Sequence, residues 1–187
     1  MFSKYRKELL IRPGMFHIYN RGNNGDKTFF YPCNYNFFLD RLSHFLSGEF
    51  EVYSYCLMEN HFHILGRVVG NNCIKGFRKM FQSYAMSVNR QTGHTGSVFE
   101  KTYCRLPVTT ETHLRRLFGY INTNPRRHGL TTGYELYPYS SYQPIVHAHQ
   151  GIVNVDYVYD YFGGLRPFLS FIEGYAATIG MEEDPFQ

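Results

Sequence analysis

The chain has no tryptophan and only four cysteines in 187 residues. Cys33, Cys56, Cys73 and Cys104 stand far apart, and no C-x-x-C pair occurs. That spacing argues against a zinc ribbon or a thioredoxin-like redox pair and fits reduced thiols in a cytosolic protein. No apolar run is long enough to span a bilayer, and the opening MFSKYRKELLIRPG is too polar for a secretory signal. No G-x-x-x-x-G-K-[ST] phosphate loop is present, so chemistry driven by ATP is not indicated. Internal repeats and low-complexity segments are absent too. Acid is scarcer than base, with 15 Asp and Glu against 19 Lys and Arg, a net charge of +4. This mild balance suits a nucleic-acid partner without demanding one.

What is abundant is apolar and aromatic. Hydrophobic residues make up 43% and aromatics 18%, with 17 Tyr and 17 Phe. One packed domain with an appendage is expected. Some of the tyrosines must be partly exposed, which suits stacking on bases.

The elements follow from periodicity. MFHIYNRG alternates as a strand ending at Gly22. CNYNFFLDRLSHFLSG sets Phe38, Leu42, Phe45 and Leu46 at helical spacing, and Gly48 stops it. FEVYSYCLM and HFHILGRVV form a hairpin turning at Glu59-Asn60. Ile74, Phe77, Phe81, Tyr84 and Val88 mark an amphipathic helix broken by Gly93 and Gly96. SVFEKTYCRLPV is extended. TTETHLRRLFGYINTNP is a helix with a Thr cap and Glu111 in its first turn; Pro125 is expected to end it at Asn124. The order matches a ferredoxin-like β-α-β-β-α-β core: α+β, an antiparallel sheet with helices on one face. Residues 1–128 would form the core. Residues 129–187 would be an extension packed on it, with a Tyr/Pro-rich loop and helix over about 156–179.

Two groups of residues carry candidate chemistry. On a strand, residues two apart share a face, so His61 and His63 project together while Phe62 and Ile64 face the other way. Neutral imidazoles side by side can ligate one divalent metal, although a third ligand must come from elsewhere. Two partly exposed histidines on a solvent face would give the same pattern. On the third helix, Leu114, Leu117, Phe118 and Ile121 form the apolar stripe. His113, Arg116, Tyr120 and Asn124 lie rotated off it. Asn124 offers an amide oxygen for Mg²⁺ or Mn²⁺. Tyr120 offers a phenol that becomes a nucleophile when helped to ionise, or it is simply a half-buried tyrosine. Tyr84 competes for that role, but its place on an apolar stripe assigns it to the core.

Basic residues cluster at Lys75, Arg78 and Lys79, at Arg115 and Arg116, and at Arg126, Arg127 and His128. Those on the third helix bracket Tyr120 and could hold phosphates, or they could form a solvated face. Asn20 and Arg21 open the NRGNNG loop, whose amides could approach a phosphate closely, or which could be only a turn.

Taken in order, YNRGNN, LMENHFHIL, GSVFEKTY, YINTNPRRHGL and YPYSSY resemble the REP-associated tyrosine transposases of the HUH single-tyrosine superfamily. The resemblance spans about Phe16 to Tyr142. H-x-H alone is unspecific, but the ordered set is specific. The resemblance implies the ferredoxin-like fold, His61, His63 and Asn124 as ligands of Mg²⁺ or Mn²⁺, and Tyr120 as catalytic nucleophile. It implies single-stranded DNA marked by a hairpin as substrate, cleaved and rejoined through a 5′-phosphotyrosine. Glu59 departs from the family, which usually has Pro before Asn-His; it lies outside the ligand positions. The expected setting is the bacterial cytoplasm, with no membrane partner, as a monomer or homodimer. Two rivals stand beside this reading. One is a hairpin DNA- or RNA-binding protein without chemistry. The other is a metal-dependent hydrolase that uses water, with Tyr120 merely structural.

Overall fold

A computed structural model describes residues 8–100, 102–149 and 151–179. The extreme N-terminus, Lys101 of the GSVFEKTY motif and the last residues of the extension lie outside the described residues.

Four strands form one antiparallel sheet: β1 (Gly14–Arg21), β2 (Phe50–Met58), β3 (His61–Val68) and β4 (Cys104–Pro107), in spatial order β2-β3-β1-β4. That is the ferredoxin-like order, with β3 inserted between β1 and β2. The β2–β3 turn is the expected one, since Met58 pairs with His61 across Glu59-Asn60. Helices α1 (Pro32–Leu46) and α2 (Cys73–Thr92) pack on each other and cover one face. Phe62 of β3 meets Phe38 of α1 at 5.0 Å and Phe81 of α2 at 5.6 Å between ring centroids. Strand alternation thus sends Phe62 and Ile64 into this layer and the two histidines to the other.

Helix α3 (Glu111–Arg127) covers that second face, against β2 and β3. Thr110 caps it by accepting a hydrogen bond from the His113 amide, at 3.2 Å. The helix does not stop before Pro125. It runs to Arg127, because proline removes only one donor and the turn continues from His128 N to the Asn124 carbonyl at 3.0 Å. The stripe expected on this helix is also too narrow: Leu114, Leu117 and Phe118 are buried, and so is every residue from Gly119 to Pro125. The helix is packed on two sides. Gly119 faces the C-terminal helix, where a Cβ would sit 2.4 Å from the Tyr175 ring.

The extension supplies that second side. The expected helix over 156–179 is two helices, α5 (Val155–Phe162) and α6 (Leu165–Ala177), parted by Gly163 and Gly164 at φ 81° and 113°. A short α4 (Tyr142–Val146) precedes them. The Tyr/Pro-rich stretch is more than a loop. Leu57 N donates to the Tyr139 carbonyl at 2.9 Å and Ser141 N to the Tyr55 carbonyl at 2.8 Å, so residues 139–141 close the outer edge of β2.

Candidate active site

The β1–β3 register sets the floor of the site. Tyr19 pairs with His63 and Arg21 with His61, so His17, Tyr19 and Arg21 share a face with the two histidines. His63 is 3% exposed, and its ring centroid lies 5.2 Å from that of Tyr120, edge to face. The His61 ring lies 5.3 Å from His63 and 4.9 Å from His128, just beyond the end of α3. Helix α3 therefore runs against the direction of β3, with Tyr120 over His63 and His128 over His61. Asn124, one turn beyond Tyr120, falls between them on the same side of the helix.

Each histidine is held through one ring nitrogen. His61 Nδ1 lies 2.7 Å from Asn60 Oδ1 and, facing an oxygen, donates to it. Its Nε2 then carries a lone pair. His63 Nδ1 lies 2.9 Å from Nε2 of His17, which is fully buried. Burial keeps all three rings neutral. It pushes His17 down to about 3, helped by the charge of His113. It pushes His61 down to about 4, helped by His128. It holds His63 well below the ordinary value, with the neighbouring histidines adding to the effect. Neutral imidazole is the form that binds metal.

Asn124 is wholly buried, and neither Oδ1 nor Nδ2 has a hydrogen-bond partner among the described residues. A buried amide with both ends unmet is uncommon in folded proteins, and its oxygen is open to a water or a cation. Among the described residues, no three His, Cys, Asp or Glu side chains converge as a metal site. A cation here would therefore need the Asn124 oxygen beside the Nε2 atoms of His61 and His63. An amide and two neutral rings, with no carboxylate, fit a divalent ion that also takes an anionic oxygen from its substrate.

Tyr120 is 2% exposed, and the Arg127 guanidinium carbon stands 5.7 Å from its ring centroid. Tyr84, the competing nucleophile, donates its hydroxyl to the Thr28 carbonyl at 2.8 Å inside the core. Glu59 pairs with Lys27 at 2.8 Å.

The basic residues do not gather on one face. Arg21 is exposed at the site's edge and ion-paired with Glu100. Arg116 and Arg126 are exposed on α3, and Arg127 lies beside Tyr120. Asn20 points to the opposite face of the sheet, where it is buried and donates to the Glu100 carbonyl at 3.2 Å. Lys75, Arg78 and Lys79 are exposed on α2, across the sheet from the histidines. Arg115 is held over the rings of Phe162 and Phe171, at 5.3 and 4.8 Å. Clustering in sequence did not predict a shared surface for these residues.

No protein-family model matches the chain, and no curated protein does. Among solved structures, the chain is similar to one described as a REP-associated tyrosine transposase bound to a REP hairpin. The two share 15% sequence identity, with a TM-score of 0.65, over 82% of this chain and 90% of that one. Among the described residues no helix is long and apolar enough to cross a membrane. The two chains share a fold.

Proposed function

We propose that the protein is a metal-dependent tyrosine endonuclease and strand transferase acting on single-stranded DNA marked by a hairpin. The observation that carries this reading is Tyr120 packed edge-on against His63, with the unmet Asn124 amide one turn away. Its similarity in fold to a transposase bound to a REP hairpin supports the same substrate class.

His61, His63 and Asn124 would hold Mg²⁺ or Mn²⁺. The bound cation supplies Lewis-acid pull on a non-bridging oxygen of the scissile phosphate. The chain's own residues do the rest. Asn60 and the sheet aim the imidazoles. Helix α3 fixes Tyr120 against His63, and Arg127 lends positive charge beside the phenol. The phenol gives its proton to water and its oxygen attacks phosphorus in line. The bond to the 3′ oxygen breaks, and that oxygen takes up a proton. The 5′-phosphotyrosine keeps the energy of the phosphodiester, so a second 3′-hydroxyl can reverse the step and join new ends without ATP.

A second reading, hairpin binding without chemistry, is favoured by one observation: the phenol is almost fully covered. Under the first reading, DNA binding must open a path to Tyr120. One experiment separates the two. Labelled hairpin DNA from sequence flanking the gene is incubated with the protein and Mg²⁺ or Mn²⁺, beside Tyr120→Phe, and run on a denaturing gel. A metal-dependent shifted band that the variant lacks is the expected result. Tight binding with no band in either protein, across several hairpins, favours the second reading. Strand cleavage that persists in the variant assigns the chemistry to water.

A further inference from the structure

We infer that His17 is a positioning residue that sets which nitrogen of His63 carries the proton, and so makes His63 competent to bind a cation. The inference rests on the metal reading above for its purpose, but its core is a proton position in the metal-free protein.

Two neutral imidazoles that share one hydrogen bond have two arrangements. In the first, His63 Nδ1–H donates to His17 Nε2, and the opposite nitrogen of His63 is unprotonated. In the second, His17 Nε2–H donates to His63 Nδ1, and the opposite nitrogen of His63 is protonated and cannot ligate. The 2.9 Å separation of His17 Nε2 and His63 Nδ1 fits either. Only the first leaves the opposite nitrogen of His63 able to ligate, so it is the one the metal reading selects. Nδ1 of His63 is committed to His17, so its face toward the helix is the Nε2 side. There the neighbours are Tyr120 and His61, at 5.2 and 5.3 Å between ring centroids. Asn60 already imposes the matching state on His61 through Oδ1, at 2.7 Å. The two histidines are thus each held at Nδ1 by a different neighbour, one at the turn and one on the adjacent strand.

The surroundings of His17 favour an orienting role. It is wholly buried. Its ring stacks on Tyr19 at 4.9 Å and on His63 at 5.1 Å, and Tyr19 stacks in turn on His63 at 5.6 Å. The three near-parallel rings leave His63 little freedom to rotate. An apolar residue at 17 would keep the packing and lose the acceptor. Second-sphere partners of ligating histidines act in this way, and removing one weakens metal binding by about 10- to 100-fold.

The test compares wild type, His17→Gln and His17→Leu in the full chain. Glutamine can place an oxygen where Nε2 stood; leucine cannot accept. Long-range ¹H–¹⁵N spectra of the metal-free protein read the tautomer of His63 directly, and titration with MnCl₂ followed by EPR reads affinity. Wild type and His17→Gln should show His63 protonated at Nδ1. In His17→Leu that signature should be lost and Mn²⁺ affinity should fall by about 10- to 100-fold, with the thermal midpoint recorded for all three. A wild-type His63 protonated at Nε2 overturns the inference, and this result needs no variant to fold. An unchanged tautomer and unchanged Mn²⁺ affinity in a folded His17→Leu overturns it as well. A wild type protonated at Nδ1 that binds no Mn²⁺, with or without hairpin DNA, upholds the tautomer assignment and overturns the metal reading instead.

Discussion

Ser141 donates its hydroxyl proton to Asn122 Oδ1 at 2.9 Å, and both side chains are fully buried. The remaining bonds follow from proton supply. Asn122 Nδ2 donates to Ser54 Oγ at 3.0 Å, and Ser54 and Ser141 hydroxyls stand 2.8 Å apart. Ser141 has spent its proton, so Ser54 must donate to it. The result is a closed ring of three hydrogen bonds joining β2, α3 and the extension, two residues from Tyr120. Ser141→Ala should cost about 1 to 3 kcal/mol, because it leaves a buried amide oxygen unmet. Removing Ser54 as well should cost less than the sum of the two single changes. Urea unfolding of the two single variants and the double variant measures this; additive losses would mean that the ring does not act as a unit.

Asn124 predicts the opposite balance. Its buried amide is unmet, and such a group costs about 1 to 3 kcal/mol. Asn124→Leu, similar in size and without polar atoms, should melt at the same temperature or higher. The same change should weaken Mn²⁺ binding and abolish the covalent adduct. A clear loss of stability would show that the amide is satisfied within the folded chain.

Several of these features are readable along the chain. The shared face of His61 and His63 follows from strand alternation alone, and the Glu59-Asn60 turn and the Thr110 cap from local residue chemistry. His17 is not readable in that way. It is a single histidine in an alternating strand, and only the antiparallel register brings it to His63, 46 positions away. His128 belongs to a basic cluster in the sequence, but its place beside His61 depends on the helix running past Pro125. Asn122 is polar, so a stripe of apolar residues does not mark it, and its burial follows from α3 being covered by both the sheet and α6. The serines of YPYSSY give no periodic signal. Their role depends on the edge of β2 and on a hydrogen-bond ring that only three dimensions supply.

Acid should weaken the fold through the same histidines. Burial lowers His17 to about 3 and His61 to about 4, so the native state binds fewer protons than the unfolded chain once pH falls below the ordinary value of 6.5. Stability from these groups is complete above that value. It is lost as pH falls toward their folded values, by about 1.4 kcal/mol per unit for each group. Guanidinium unfolding between about pH 7.5 and about pH 5 should show the decline, and His17→Leu should flatten it. Equal slopes in the two proteins would mean that His17 is not the group being titrated.

The ring formed by Ser54, Asn122 and Ser141 also has a consequence for the order of synthesis. A ribosome makes the chain from its N-terminus, so Tyr120 and the whole of α3 emerge before the serine that locks the helix to the sheet. Until Ser141 and the strand-like segment around it arrive, the edge of β2 is bare and the ring is open. The surroundings of Tyr120 are therefore completed late, and a nascent or truncated chain that ends before residue 139 carries the tyrosine without the frame that holds it.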